Sequence, residues 1–197
     1  MKTTTPLQKL SAAVSSDIGS PNMAGVYLDS VDPFAVAVNG HQLVAIKHEG
    51  GVRGRVRSDL FCKDMTAVAH PDTDDFVDYR RVLPTGQIIN RGVFEVPNFF
   101  AKALKSKYPG QVVDICGLYF DTTSFIFGRL GADVYLDPYL LRAWAGESIQ
   151  VGYYGVNHPL IITTTAGGLD DYANGRWPDL FAVVMTVNPP KTAKRRA

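Results

Sequence analysis

The heptapeptide Asp78–Pro84, Asp-Tyr-Arg-Arg-Val-Leu-Pro, divides the chain into two strand-rich halves. Pro84 has no backbone N–H and steers Leu83 into extended geometry, so strand pairing stops here. The segment reads as a connector that leaves one compact unit and enters the next. The 197 residues suffice for one large domain or two compact ones. With 46% hydrophobic and 20% charged residues, a folded core is expected rather than disorder. A formal net charge of +1 excludes a strongly basic nucleic-acid binder but leaves room for a local basic face. Cys62 and Cys116 make no metal spacing and read as reduced thiols, with one disulfide the weaker alternative. The sequence shows neither an apolar signal core nor a membrane-spanning run, which predicts a cytoplasmic protein.

Along the chain, Pro6–Ser16 is predicted as a short helix with Leu7, Leu10 and Val14 on one face and Lys9 pointing elsewhere. Strands are expected over Gly25–Asp29, Phe34–Val38 and Gln42–Lys47, the last two joined by a tight turn at Asn39-Gly40. Gly50–Arg57 carries Arg53, Arg55 and Arg57 among glycines. It reads as a solvated loop or hairpin, or alternatively as a phosphate-contacting patch; it lacks the ending of a nucleotide P-loop. Ser58 is placed as the cap of a short helix through Met65, and Pro71–Asp75 as an acidic turn.

In the second half, Gly92–Val96 is predicted as a strand and Asn98–Lys107 as a helix with a basic side of Lys102, Lys105 and Lys107. Val112–Phe120, Ser124–Arg129 and Val134–Leu136 read as strands, and Asp137-Pro138 opens a helix with Leu140, Leu141 and Trp144 as its apolar face. Ile149–Tyr154, Pro159–Thr164 and Leu180–Val187 are the last strands, with a long polar loop over Gly167–Pro178. A helix followed by strands recurs near Pro6, Pro97 and Pro138, and less clearly near Ser58, at a spacing of roughly forty to fifty residues. The expected fold class is α+β: two compact domains of short helices packed on antiparallel sheets. They span 1–84 and 85–190 and are followed by a basic tail over 191–197.

Catalytic signatures are missing. The sequence contains no GxSxG, HExxH, Walker A or paired CxxC motif, and His41, His48, His70 and His158 are scattered. The expectation is a non-catalytic protein with no cofactor and no metal. A metal-dependent hydrolase using Asp72, Asp74 and Asp75 is the reading from another class.

The chain resembles the bacterial sliding clamp, the β subunit of DNA polymerase III. Asp78–Pro84 looks like the segment that joins that family's second and third domains. Val38-Asn39-Gly40-His41-Gln42-Leu43 is similar to its T-D-G-H-R-L turn, with valine for threonine, asparagine for aspartate and glutamine for arginine. Phe181–Val187 looks like the closing strand, usually Y-x-V-M-P-M. The likeness covers the last two of three domains, both shortened, and a compact protein of this kind suits a phage or mobile element.

The resemblance implies a sliding-clamp fold in which helices line a hole around duplex DNA and sheets form the outside. Lys9, Lys102, Lys105, Lys107 and Arg142 are then the DNA-facing candidates, acting by screened, sequence-independent phosphate attraction. It also implies a groove for short peptides of polymerases and other clamp-binding proteins. Carried over position by position, its residues are Met23, Val38, Gly40, His41, Leu43, Val77, Arg81, Val82, Val183, Met185 and Val187, with Val77 where the family has proline. The same apolar set would equally serve as packing between the two domains. The implied partners are duplex DNA, a polymerase or other clamp-binding protein, and further copies of this chain in a dimeric or trimeric ring, with no membrane. The alternative is a non-encircling protein of the same fold that competes for clamp partners.

Overall fold

The computed structural model describes residues 5–15, 21–29, 31–48, 54–56, 76–96, 112–115, 118–121, 126–128, 136–155, 158–164 and 166–186. An antiparallel sheet of eight strands dominates them, in the order β4-β1-β2-β3-β11-β10-β9-β5. Its strands are β1 Val26–Leu28, β2 Phe34–Val38, β3 Gln42–Lys47, β4 Gly54–Val56, β5 Asn90–Glu95, β9 Ser148–Tyr153, β10 Leu160–Thr163 and β11 Leu180–Val184. A second sheet holds β6 Val112–Ile115, β7 Leu118–Asp121 and β8 Ile126–Gly128. The helices are α1 Pro6–Ala12, α2 Gly168–Ala173 and 3-10 turns at Pro21–Met23, Tyr79–Val82 and Pro138–Trp144. The fold is α+β, as expected.

The large sheet crosses the two halves of the sequence. β3 pairs with β11 from Leu180↔Ile46 to Val184↔Gln42, so the seam between early and late strands is an ordinary ladder. Both faces of this seam are covered, which is why Phe34–Val38, Leu160–Thr163 and Leu180–Val184 are buried at every position instead of alternating.

One face packs Ala35, Ala37, Val44, Ile46, Ala182 and Val184 beneath α1 and the Pro138–Trp144 turn, with Leu10, Leu140, Leu141 and Trp144 inserted between the layers. The other face carries Phe34, Val36, Val38, Leu43, Phe181 and Val183 beneath the connector, the Pro21–Met23 turn and α2. Burying side chains such as Trp144 and Phe181 contributes about 1.5–3 kcal/mol each.

Local chemistry explains α1. Thr5 and Gln8 form a reciprocal capping box, and Pro6 fills the first turn. At the other end, the Gln42 side chain donates from Nε2 to the Ala12 carbonyl at 3.1 Å. Gln42 therefore turns away from Leu43 to hold a helix, on the opposite face from the candidate groove.

Several expectations change. The predicted strand Val112–Phe120 is two strands, β6 and β7, in one hairpin. The helix from Asp137-Pro138 is a 3-10 helix, although Leu140, Leu141 and Trp144 are buried as predicted. The polar loop Gly167–Pro178 contains α2, and the arginine-rich loop contains β4, an edge strand on β1. The helices expected over Ser58–Met65 and Asn98–Lys107, the acidic turn Pro71–Asp75, both cysteines and the tail lie outside the described residues. Among the described residues no helix is long and apolar enough to cross a membrane, and no group of His, Cys, Asp and Glu could hold a metal.

Candidate functional site

The candidate groove residues come from four separate stretches of sequence, and the sheet gathers several of them. Val38, Leu43 and Val183 lie in one row across β2, β3 and β11, paired Val38↔Leu43 and Leu43↔Val183. All three are buried in the same apolar cluster, and Met23 and Val77 pack against it, half-buried. Val77 donates its N–H to the Asn22 carbonyl at 3.2 Å, which fixes the connector's start beside the Pro21–Met23 turn.

The β2–β3 hairpin forms one end of this row. Gly40 stands first in the tip with φ +79°, a conformation that disfavours any side chain. Asn39 Oδ1 accepts the N–H groups of His41 and Gln42 at 3.1 and 3.0 Å. Met185 continues the β11 ladder by donating its N–H to the His41 carbonyl at 2.8 Å. Met185 and Val82 remain exposed at 37% and 38%, an apolar rim on an otherwise filled cluster. Arg81 is an open polar member. Its side chain is 84% exposed and, among the described residues, pairs with Asp78, Nε to Oδ2, at 3.1 Å. Such an exposed pair is worth about 0–1 kcal/mol, so the guanidinium is easily redirected toward a ligand. Val187 lies outside the described residues.

The connector is pinned between these groups. Tyr79–Val82 forms a 3-10 turn, and Leu83 leaves it extended, at ψ 125°, as a residue before proline must. The Tyr79 hydroxyl donates to Asp29 Oδ2 at 2.5 Å, and Arg80 reaches Asp29 Oδ2 at 2.5 Å and Asp32 Oδ2 at 2.8 Å. The Arg80 guanidinium also lies 4.8 Å from the Tyr79 ring centroid. Burial by itself would raise the Asp29 carboxyl. The Tyr79 hydroxyl, the N–H groups of Val31 and Asp32 and the charge of Arg80 outweigh it, so Asp29 titrates below the ordinary 3.8. Burial, and then the bond to Asp29, push the Tyr79 phenol well above its ordinary 10.0.

At the connector's far end, the Tyr172 hydroxyl of α2 donates to the Pro84 carbonyl at 3.2 Å. Tyr172, Trp177, Phe34 and Phe181 form a corner of mutually packed rings, with Trp177 stacked on Phe181 at 5.5 Å. An ion pair between Arg91 of β5 and Asp170 of α2 ties this corner to the sheet edge. Sequence reading missed Asp29 and α2. Their signals were an Asx turn before Asp32-Pro33, and two aspartates followed by an Asn174-Gly175 stop.

The DNA-facing candidates separate. Lys9 does not face outward. It is 2% exposed, its ammonium meets Glu147 Oε1 at 2.5 Å, and it sits 5.1 Å from the Trp144 ring centroid. Packing of α1 against the Pro138–Trp144 turn leaves the lysine no path to solvent, so its assignment is corrected to an interior latch. Arg142 is exposed on that same helical layer. Lys102, Lys105 and Lys107 lie outside the described residues.

This architecture, one antiparallel sheet continuous across two halves with short helices on one face and a tethered connector on the other, is a sliding-clamp fold. Solved structures with that fold include the DNA polymerase III β subunit of Thermotoga maritima, at TM-score 0.58 and 14% identity over 94% of this chain. Another is the polymerase III β of Caulobacter crescentus, at 0.59 and 16% over 93%. The sliding clamp of Pseudomonas aeruginosa bound to griselimycin matches at 0.54 and 13% over 95%. The chain spans 62–64% of the length of these three proteins. No protein-family model and no curated protein matches the sequence.

Proposed function

We propose that this protein is a non-catalytic, sliding-clamp-like processivity factor that tethers a polymerase or other replication protein to duplex DNA through a peptide groove. One observation carries the reading. Met23, Val38, Leu43, Val77 and Val183, brought in from four stretches of sequence, pack on one sheet face, with Val82 and Met185 exposed and Arg81 open to solvent. An apolar floor with a glycine turn and one weakly held, exposed cation is suited to an extended apolar peptide.

The test is a binding titration with griselimycin, the compound held by the Pseudomonas aeruginosa clamp. The protein is expected to bind it. Arg81→Ala is expected to weaken binding by about fivefold, the scale of one rim contact, with no change in Tm. Equal affinity of the variant, or no binding by the parent protein, removes the groove.

A second reading, a protein of this fold that binds clamp partners without encircling DNA, is favoured by one observation. Lys9 is turned inward and neutralised by Glu147, so α1 offers one fewer phosphate contact than the clamp reading expects. The mass of the protein in solution separates the two.

A further inference from the structure

The connector carries two arginines with opposite fates. Arg80 is drawn back onto Asp29 and Asp32, while Arg81, the next residue, points outward and is paired with the exposed Asp78. Asp29 is 1% exposed, and both of its oxygens are occupied. Oδ1 accepts the N–H groups of Val31 and Asp32 at 2.7 and 3.2 Å and so shapes the turn after β1. Oδ2 takes the Tyr79 hydroxyl and the Arg80 guanidinium. The carboxylate is thus a rivet between the β1–β2 turn and the middle of the connector.

We infer that Asp29 is a positioning residue for the proposed groove: by holding Tyr79 and Arg80 it sets the register in which Arg81 and Val82 are presented at the rim. This rests on the groove reading of the preceding section. The register has few other supports. The Tyr79–Val82 turn has no side-chain cap; among the described residues its other fixings are the Tyr79 ring buried in the apolar cluster, Leu83 packed against that cluster, and, at the flanks, Val77 N–H on Asn22 and the Pro84 carbonyl on Tyr172. Without the rivet, no polar bond holds Arg80, and the direction in which Arg81 is presented rests on the packing of the Tyr79 ring.

The test uses Asp29→Asn, which keeps the acceptor for the β1–β2 turn but removes the charge that holds Arg80. Amide exchange is read at Arg81 and Leu83, whose N–H groups bond to Asp78 and Arg80 carbonyls, and at Leu43 and Val183 in the sheet. Griselimycin affinity is read in parallel. We expect exchange at Arg81 and Leu83 to accelerate about tenfold while the sheet amides hold, and affinity to fall about tenfold, consistent with losing a charge-assisted bond. In a Val82→Ala, Arg81→Ala background the affinity loss from Asp29→Asn is expected to disappear, because its route to the ligand is gone.

An affinity loss that persists in that background, or an Asp29→Asn protein with parental exchange and affinity, overturns the proposal. Faster connector exchange with unchanged affinity also overturns it, since the connector would then be loosened without consequence for binding. Should Asp29→Asn fail to fold, Tyr79→Phe removes a single hydroxyl of the same rivet and is held to the same outcomes. If the parent protein does not bind griselimycin, the groove reading falls and the positioning role with it, while the exchange result still reports the anchoring by itself.

Discussion

Lys9 and Asp29 are two buried charges that do opposite things to the chain around them. Lys9 joins α1 to Glu147 across the helical layer, with side chains 3% and 13% exposed. Removing one partner of such a pair leaves an uncompensated charge in the interior and costs about 3–5 kcal/mol. Lys9→Ala is therefore predicted to lower the urea midpoint sharply, and Glu147→Gln to do the same, whereas an exposed DNA-contacting lysine would change stability within about 0.5 kcal/mol. Asp29 makes stability depend on pH. Its carboxyl titrates lower in the folded protein than the ordinary 3.8, so its contribution is present above that pH and is lost as pH falls through the lower folded value. Tyr79 works at the other end of the scale. Its phenol is held above the ordinary 10.0, so its contribution is complete below that pH and is lost as pH climbs past it. Denaturation followed against pH is predicted to show a shallower acid limb for Asp29→Asn and a shallower alkaline limb for Tyr79→Phe than for the parent protein. At this scale the sequence was half legible. The Asx turn at Asp29 is a local pattern, but its partner lies fifty residues away. Lys9 was assigned outward because helical periodicity alone does not reveal a second helix lying over that face.

Strands were the most legible elements, and the reason is chemical. Phe34–Val38 and Gln42–Lys47 match their predicted bounds because β-branched runs flank an Asn-Gly turn, a signal contained within a dozen residues. The candidate groove was legible only through the resemblance, since its floor is assembled by pairing β3 with β11, far apart in sequence. The missed element, α2, owes its place to contact more than to propensity. Gly168 sits where a Cβ would stand 2.8 Å from Thr163 Oγ1 and 3.0 Å from Thr163 Cβ, on a fully buried, β-branched side chain that has no room to give. Gly168→Ala is predicted to cost about 1–3 kcal/mol by overpacking. It should lift α2 off β10, and Trp177, packed in the aromatic corner, provides the fluorescence readout. A variant with parental stability and parental Trp177 emission would show that α2 is not seated by this contact.

For the whole molecule, what matters is that one sheet runs across both halves while a tethered connector lies over the seam. That arrangement makes the halves a single mechanical unit along β3–β11, and a ring built from such units would inherit its stiffness from the ladder rather than from the connector. The fold is shared with bacterial sliding clamps at 13–16% identity, which fits a sequence that matches no family model. Packing on a sheet tolerates wide exchange among apolar residues, so a fold can persist at such low identity. The proposed clamp role requires that copies of this chain assemble into a ring that encircles duplex DNA. Static light scattering across a concentration series reaching the micromolar range tests it most directly. The account predicts a stable species of two or three times the monomer mass, whereas a monomer at every concentration would contradict the ring and leave the non-encircling binder of clamp partners in its place.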